Sequence, residues 1–237
     1  EIALFDPNPA IRMSYPDLIE QDGKFWITET QKSVARVHAI DRSLLDGMWN
    51  QTTCTNVSQK GLVLEKINSG DTSARPAVPH GFGDLSNGGL TVELWTKLDA
   101  ATPGQTLFST QEKNGQGIRI ATAELGGQPT LEIELSDGAR VVSWHTDPGV
   151  VQAGKLQHVV FVCDFAATVL SVIADGVFLD GGTARQYGWG RIPQEMGDVK
   201  GAYQALLAPQ VKCARLYNRP LSTSESVANF RAGAPQL

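Results

Sequence analysis

Cysteine is scarce, with three in 237 residues: Cys54, Cys163 and Cys213. Three cannot build a disulfide framework, and an odd count leaves at least one thiol unpaired within the chain. The absence of any C-x-x-C spacing argues against a zinc site made of cysteine. Positive charge is in deficit. Twenty Lys and Arg face 25 Asp and Glu, a net charge of −5, so the basic footprint of a nucleic-acid binder is missing. Long apolar runs are missing too: none approaches the roughly 18 residues of a membrane-spanning helix. No leader segment opens the chain, and the first residue is glutamate in place of methionine, so a processed chain, a fragment or a trimmed piece is expected. Internal repeats and charge runs are also lacking.

What is present reads as folded. Hydrophobic residues make up 41% and charged residues 19%, outside the range of disordered chains. Glycine (24) and proline (12) mark many turns but stay well short of a low-complexity composition. The length fits one large domain or two small ones and suffices for a sizeable core.

The pattern changes near residue 50, which suggests residues 1–50 and 51–237 as separate regions. In the first, Ile2–Phe5 is a short extended run and Asp6-Pro-Asn-Pro breaks regular structure. Tyr15–Ile19, an Asp22-Gly23 turn and Phe25–Thr30 read as a hairpin, followed by a strand over Val34–Ile40. Ser43–Trp49 reads as a short helix with Ser43 as its cap.

From residue 61 a series of short strands follows: 61–67, 90–98, 106–110, 117–124, 130–135, 139–144, 156–163, 169–174, 177–179 and 211–217. Alternation is cleanest in Leu131-Glu-Ile-Glu-Leu135, apolar on one face and acidic on the other. Residues 156–162 are apolar on both faces, as a central strand covered on both sides would be. Ser222-Thr-Ser-Glu225 fits a capping box ahead of one helix, which Gly233 ends. The expected fold is all-β, an antiparallel two-sheet sandwich with a short C-terminal helix.

Two stretches resemble known families. Residues 61–232 resemble the concanavalin A-like jelly roll of the laminin-G-like type. The resemblance is carried by Gly89-Leu-Thr-Val-Glu-Leu-Trp95, Gly154-Lys-Leu-Gln-His-Val-Val-Phe-Val-Cys-Asp164, Ser171-Val-Ile-Ala-Asp-Gly-Val177 and Val211-Lys-Cys-Ala-Arg-Leu-Tyr-Asn-Arg-Pro-Leu-Ser222. It implies a glycan or polysaccharide as partner, since that family is mostly glycan-binding or adhesive, with some glucanases and some calcium-dependent members.

Residues 1–50 resemble the closing part of a sialidase-like β-propeller, a partial blade, through Met13-Ser-Tyr-Pro-Asp-Leu-Ile19 and Asp22-Gly-Lys-Phe-Trp-Ile-Thr-Glu29. By that resemblance Tyr15 takes the nucleophile position. Such enzymes use tyrosine because a neutral nucleophile avoids repulsion with the substrate carboxylate. The assisting glutamate, arginine triad and aspartate acid lie upstream of the tyrosine in that family. The chain shows no Asp-box motif, and Pro16 replaces the usual residue after the tyrosine. Together the two resemblances imply the C-terminal, lectin-like region of a secreted sialidase-like glycosidase, completed by an upstream propeller fragment. A stand-alone lectin or adhesion module is the alternative.

Four features carry candidate chemistry. Tyr15 is the candidate catalytic residue, or else a structural tyrosine at a blade edge. The loop Arg185-Gln-Tyr-Gly-Trp-Gly-Arg191 offers Arg185, Tyr187, Trp189 and Arg191 as ligand contacts. Aromatic faces stack on sugar C–H surfaces and guanidinium pairs with carboxylate or sulfate; Trp189 as a plug of the sandwich edge, or docked on the N-terminal segment, is the competing reading. Glu132, Glu134 and Asp137 resemble, with shifted residue types, the acid-bearing strand of concanavalin A-like glucanases, or form a solvated face before a hairpin. Asp84, Asn87, Asp175, Asp180 and Asp198 are hard oxygen ligands of the kind calcium takes, and equally ordinary turn formers.

The histidines (His38, His80, His145, His158) show no metal spacing, and His158 reads as a core histidine. Cys163 and Cys213 lie on strands that allow either a disulfide or two buried thiols. Trp26, Trp49, Trp95 and Trp144 read as core or interface residues. Sequons occur at Asn50 and Asn56.

Overall fold

The computed structural model describes residues 14–30, 35–68, 72–183, 185 and 187–235. The chain divides into two compact units, Glu1–Cys54 and Thr55–Leu237. The expected strand at 2–5 and the proline breaker after it lie outside the described residues.

In the first unit, β1 (Ser14–Gln21), β2 (Lys24–Thr30) and β3 (Ala35–Ile40) form a three-stranded antiparallel sheet in that order. The Asp22-Gly23 turn joins the hairpin, both residues having positive φ, as a type I′ turn requires. Helix α1 spans Arg42–Asn50, one residue earlier than the expected start. Its cap is Asp41, not Ser43. The Asp41 carboxylate accepts from Ser43 N at 2.9 Å, so the serine lies inside the first turn and the aspartate before it satisfies the exposed amide.

The second unit is a sandwich of two antiparallel sheets. One sheet contains β4 (Leu62–Ile67), β5 (Gly89–Lys97), β10 (Leu156–Asp164), β11 (Val169–Ala174), β12 (Val177–Phe178), β13 (Gly190–Arg191) and β15 (Val211–Tyr217). Its order is β12-β11-β10-β5-β15-β4, with β13 also paired to β11. The other holds β6 (Thr106–Ser109), β7 (Gly117–Leu125), β8 (Gln128–Ser136), β9 (Val141–His145) and β14 (Leu206–Leu207), in the order β14-β6-β7-β8-β9. Helix α2 (Thr223–Arg231) follows β15.

The sequence pattern explains the layers. Leu131, Ile133 and Leu135 on β8 are all essentially inaccessible to solvent and face the core between the sheets, so Glu132 and Glu134 take the outer face. On β10, Val159, Phe161 and Cys163 enter the same core, while Val160 and Val162 join a second apolar cluster with Ile173, Tyr217 and Leu221. That strand is thus covered on both sides. The second cover is α2, whose Phe230 stacks on Trp95 at 6.0 Å and lies 5.7 Å from His158. The helix starts on the expected capping box: Ser222 Oγ accepts from Glu225 N, and the Glu225 carboxylate accepts from Ser222 N.

Beneath α2 lies a buried charged network. Glu93 accepts from Arg215 Nη1 at 2.6 Å, Asn229 Nδ2 at 2.6 Å and the Tyr217 hydroxyl at 3.3 Å, with His158 Nε2 at 3.0 Å. His158 is therefore a core histidine paired with a carboxylate through one ring nitrogen. Its Nδ1 is buried without a hydrogen-bond partner. Cys163 and Cys213 are free thiols. They flank β5 on opposite sides, opposite Leu90 and Trp95 respectively, and this offset along the strand keeps them from bridging. Among the described residues no helix is long and apolar enough to cross a membrane.

Candidate functional site

Unlike the sheet under α2, the five-stranded sheet turns a polar outer face outward. Two rungs cross it. Arg119, Glu134 and Ser143 pair in register on β7, β8 and β9; Ala121, Glu132 and His145 form the next rung. His145 Nε2 is 3.5 Å from Glu132, and Gln111 Nε2 donates to Glu134 at 2.5 Å. Arg119 Nε donates to Thr106 Oγ1 at 3.2 Å. Glu132 and Glu134 thus share a face, as period-two alternation requires. Asp137 does not join them. It lies in the following turn, accepting from the backbone N–H groups of Gly197 (2.8 Å), Arg140 (2.6 Å) and Ala139 (2.8 Å). Those donors hold its carboxyl down at about 2, which keeps it ionised and unsuited to passing a proton at neutral pH. The glucanase-like triple of acids is therefore not assembled.

The loop from Asp180 to Arg191 is built onto the end of β9. Asp147 holds it at two points, accepting from Gly181 N at 3.1 Å and pairing with the Arg185 guanidinium. Arg185 Nη1 also donates to the His145 carbonyl at 3.0 Å, and its Cζ lies 4.3 Å from the centroid of the Trp144 ring. Arg185 is therefore an anchor committed inside the protein: the cation stacks on one aromatic face and pairs with one carboxylate. Gly190 on β13 presses against the other element of this anchor. A Cβ there would come within 2.8 Å of the Trp144 ring, so only glycine lets the backbone pass.

What the anchor leaves outside is aromatic. Tyr187 is 54% exposed and Trp189 39% exposed, with ring centroids 5.5 Å apart and planes tilted by 32°. Arg191 lies exposed on β13, opposite Val169 of β11. Trp144 lies half-buried beneath Arg185 and packs on the core.

Tyr15 is 83% exposed on β1, with a positive φ of 52° beside a register shift in the β1–β2 pairing. Among the described residues no carboxylate meets its hydroxyl. On the neighbouring strands Glu29 is buried, with His38 Nε2 at 3.0 Å and Arg36 Nη1 at 3.4 Å from one carboxylate oxygen.

The residues weighed for calcium act as turn and cap groups. Asp84 accepts from Ser86 N, Asp180 from Gly182 N, and Asp175 from His158 N. Asn87 donates to the Gly81 carbonyl. Asp84 and Asp198 come together, but Lys200 Nζ lies 3.0 Å from each. An ammonium thus already bridges these two carboxylates. Among the described residues no three His, Cys, Asp or Glu gather as a metal ligand set.

A model described as the concanavalin A-like lectin/glucanases superfamily matches residues 69–225. The chain belongs to this superfamily. Its jelly roll is similar to several solved structures. The CBM40 domain of the Ruminococcus gnavus IT-sialidase, bound to α2,6-sialyllactose, aligns at 16% identity and a TM-score of 0.48, over 71% of this chain and 99% of that one. A SAP-like pentraxin from Limulus polyphemus aligns at 11% identity and a TM-score of 0.44, over 65% and 79%. Trypanosoma rangeli sialidase aligns at 17% identity and a TM-score of 0.43, over 92% of this chain but 44% of that one. No curated protein sequence matches the chain.

The sequence signal for this loop is its composition, which picks out Tyr187 and Trp189 together with Arg185 and Arg191. It did not separate the anchoring arginine from the exposed aromatics. That assignment depends on Asp147 and Trp144, some forty residues upstream.

Proposed function

We propose that Thr55–Leu237 is a carbohydrate-binding module whose sugar lies on Tyr187 and Trp189. One observation carries this reading: two large aromatic rings stay exposed side by side on a loop anchored at Gly181, Arg185 and Gly190. Membership of a superfamily that comprises lectins and glucanases supports it. Each ring–sugar contact contributes on the order of 1 kcal/mol. Trp189→Ala is therefore expected to weaken glycan retention by about fivefold while leaving the melting temperature unchanged, read on a glycan array and then by calorimetry. Wild-type silence across the array, or a Trp189→Ala protein that binds as wild type does, refutes the assignment.

We further propose that the module is the C-terminal region of a secreted sialidase-like glycosidase, with Tyr15 as nucleophile once an upstream propeller fragment supplies the base and the arginines. The support is the resemblance of residues 13–29 and the exposed setting of Tyr15 on its strand. Intact mass and peptide mapping of the native, unreduced preparation test this. An accompanying upstream fragment that carries an arginine triad and Asp boxes is the expected result. The 25.5 kDa chain occurring alone refutes it and leaves a stand-alone lectin.

A further inference from the structure

A cleft of about 200 Å³ opens among three loops, lined by Pro79 and His80, by Glu112 and Gln116, and by Lys200 and Tyr203. Its walls are fixed. Val78 N donates to the Tyr203 carbonyl at 2.7 Å, and Ala202 N to the Thr110 carbonyl at 2.7 Å. Gly201, at φ +63°, brings its segment so close that a Cβ would lie 2.2 Å from the Thr110 carbonyl oxygen. The volume is below the roughly 300–1,000 Å³ of a drug-sized site, so the cleft takes a single ring and not an extended chain.

The lining combines one flat aromatic wall with hydrogen-bonding groups. The Tyr203 ring is 71% exposed and stacks on His80, with centroids 6.2 Å apart and planes within 26°. Glu112 is exposed on the tight turn closed by its own backbone bonds to Gly115 and Gln116. Among the described residues its carboxylate has no ion-pair partner. Gln116 Nε2 is occupied by the Asp198 carbonyl at 3.0 Å, which leaves its amide oxygen as an acceptor. Lys200 is bound by Asp84 and Asp198. Around the cleft stand three carboxylates (Asp84, Asp198, Glu112) and one ammonium. The local charge is therefore negative, and an anionic sugar is repelled.

We propose that this cleft is a second saccharide site, specific for one uncharged pyranose, with Tyr203 and His80 under the ring's C–H face and Glu112 accepting its hydroxyl hydrogens. Paired hydroxyls donating to one carboxylate are charge-assisted bonds, stronger than neutral ones. This site goes beyond the Tyr187–Trp189 platform and does not depend on it.

Saturation-transfer NMR on the full chain tests it, with methyl β-D-galactopyranoside, methyl α-D-glucopyranoside and methyl α-D-mannopyranoside as probes and sialyllactose as the anionic competitor. At least one neutral glycoside is expected to give transfer that falls about tenfold in Tyr203→Ala and in Glu112→Gln, stays in Trp189→Ala, and is not displaced by sialyllactose. Tyr203 and Glu112 are exposed, so both variants keep the fold. No transfer from any of the three glycosides overturns the proposal. So does transfer that survives Tyr203→Ala, and so does displacement by sialyllactose at an equal concentration. Transfer lost in Trp189→Ala and kept in Tyr203→Ala also overturns it and assigns the sugar to the first platform.

Discussion

Replacing Glu93 by glutamine tests whether charge or shape closes the covered face of the sandwich. Glu93 is fully inaccessible to solvent, and Arg215, its cation, is 3% exposed. Glutamine keeps the volume but removes the charge and presents an N–H₂ to a site that already supplies donors from Arg215, Asn229 and Tyr217. Deleting one member of a buried ion pair costs about 3–5 kcal/mol, because the other charge stays buried. Here Arg215 keeps Glu65 at 2.7 Å, and Glu65 is partly exposed, so the lower end, about 3 kcal/mol, is expected. For a unit of this size each kcal/mol moves the melting temperature by about 2–4 °C, which gives a drop of about 6–12 °C. Urea and thermal unfolding followed by tryptophan fluorescence read this directly, since Trp95 stacks on Phe230 and contacts His158 beside the network.

The pH dependence supplies a second, independent arm. Burial pushes the Glu93 carboxyl up. The hydrogen bond and charge of His158, then Arg215 and Asn229, outweigh it, so the folded value lies below the ordinary 4.5. A depressed folded pKa gives stability that is fully present above the unfolded value and lost as pH falls through the folded one. The wild type is therefore expected to lose stability below pH 4.5, and the glutamine variant to lose less across that window, so the gap between them narrows in acid. A loss below about 1 kcal/mol at neutral pH, or a gap that stays constant on acidification, would refute the reasoning.

Three further outcomes are expected. Arg185→Ala releases the loop from Asp147 and Trp144; thermal unfolding should show a loss of about 1–3 kcal/mol, and glycan retention should fall as it does for Trp189→Ala although Arg185 is not placed on the sugar. Glu225→Ala removes half of the capping box and the bond to Arg219, at a cost of about 1–2 kcal/mol in urea unfolding. In the wild type the Arg219 bond and the Ser222 amide override burial and hold the Glu225 carboxyl at about 2, so its contribution should persist to lower pH than an ordinary glutamate's and disappear only between 4.5 and about 2. Burial pushes the Cys213 thiol up to about 12 and that of Cys163 further. A thiol reagent at neutral pH should therefore label half-buried Cys54 alone in the native protein and all three cysteines after unfolding; native labelling of Cys163 contradicts the placement of β10.

The strands of the sandwich were legible wherever local pattern and burial coincide. Leu131–Leu135 alternates because one face meets the core, and Leu156–Val162 does not alternate because α2 covers its second face. The capping box at Ser222 is equally local. The two-residue strands β13 and β14 carry no such signal, since their existence depends on partners at Val169, Leu170, Phe108 and Ser109. The Glu93 network left a trace, a lone acid inside the apolar run Leu90–Trp95 and a lone arginine inside Val211–Tyr217. Only the pairing of β5 with β15 sets the two opposite each other. The Tyr203 cleft left none, because its three walls come from loops about thirty and ninety residues apart.

The two sheets therefore differ in what they leave available. The face of β5, β10 and β15 is closed by Phe230 and Asn229 of α2, and its charges are consumed in mutual pairing. A ligand there would have to displace a helix that the capping box and the Glu93 hydrogen bond both hold. Within the second unit, no helix among the described residues covers the five-stranded sheet's rungs of Arg119, Glu134, Ser143, Glu132 and His145. His145 joins that face to the anchored loop, because the same residue contacts Glu132 through its ring and Arg185 through its carbonyl. Substitutions on this outer face need not loosen the core, since Leu131, Ile133 and Leu135 alternate away from Glu132 and Glu134.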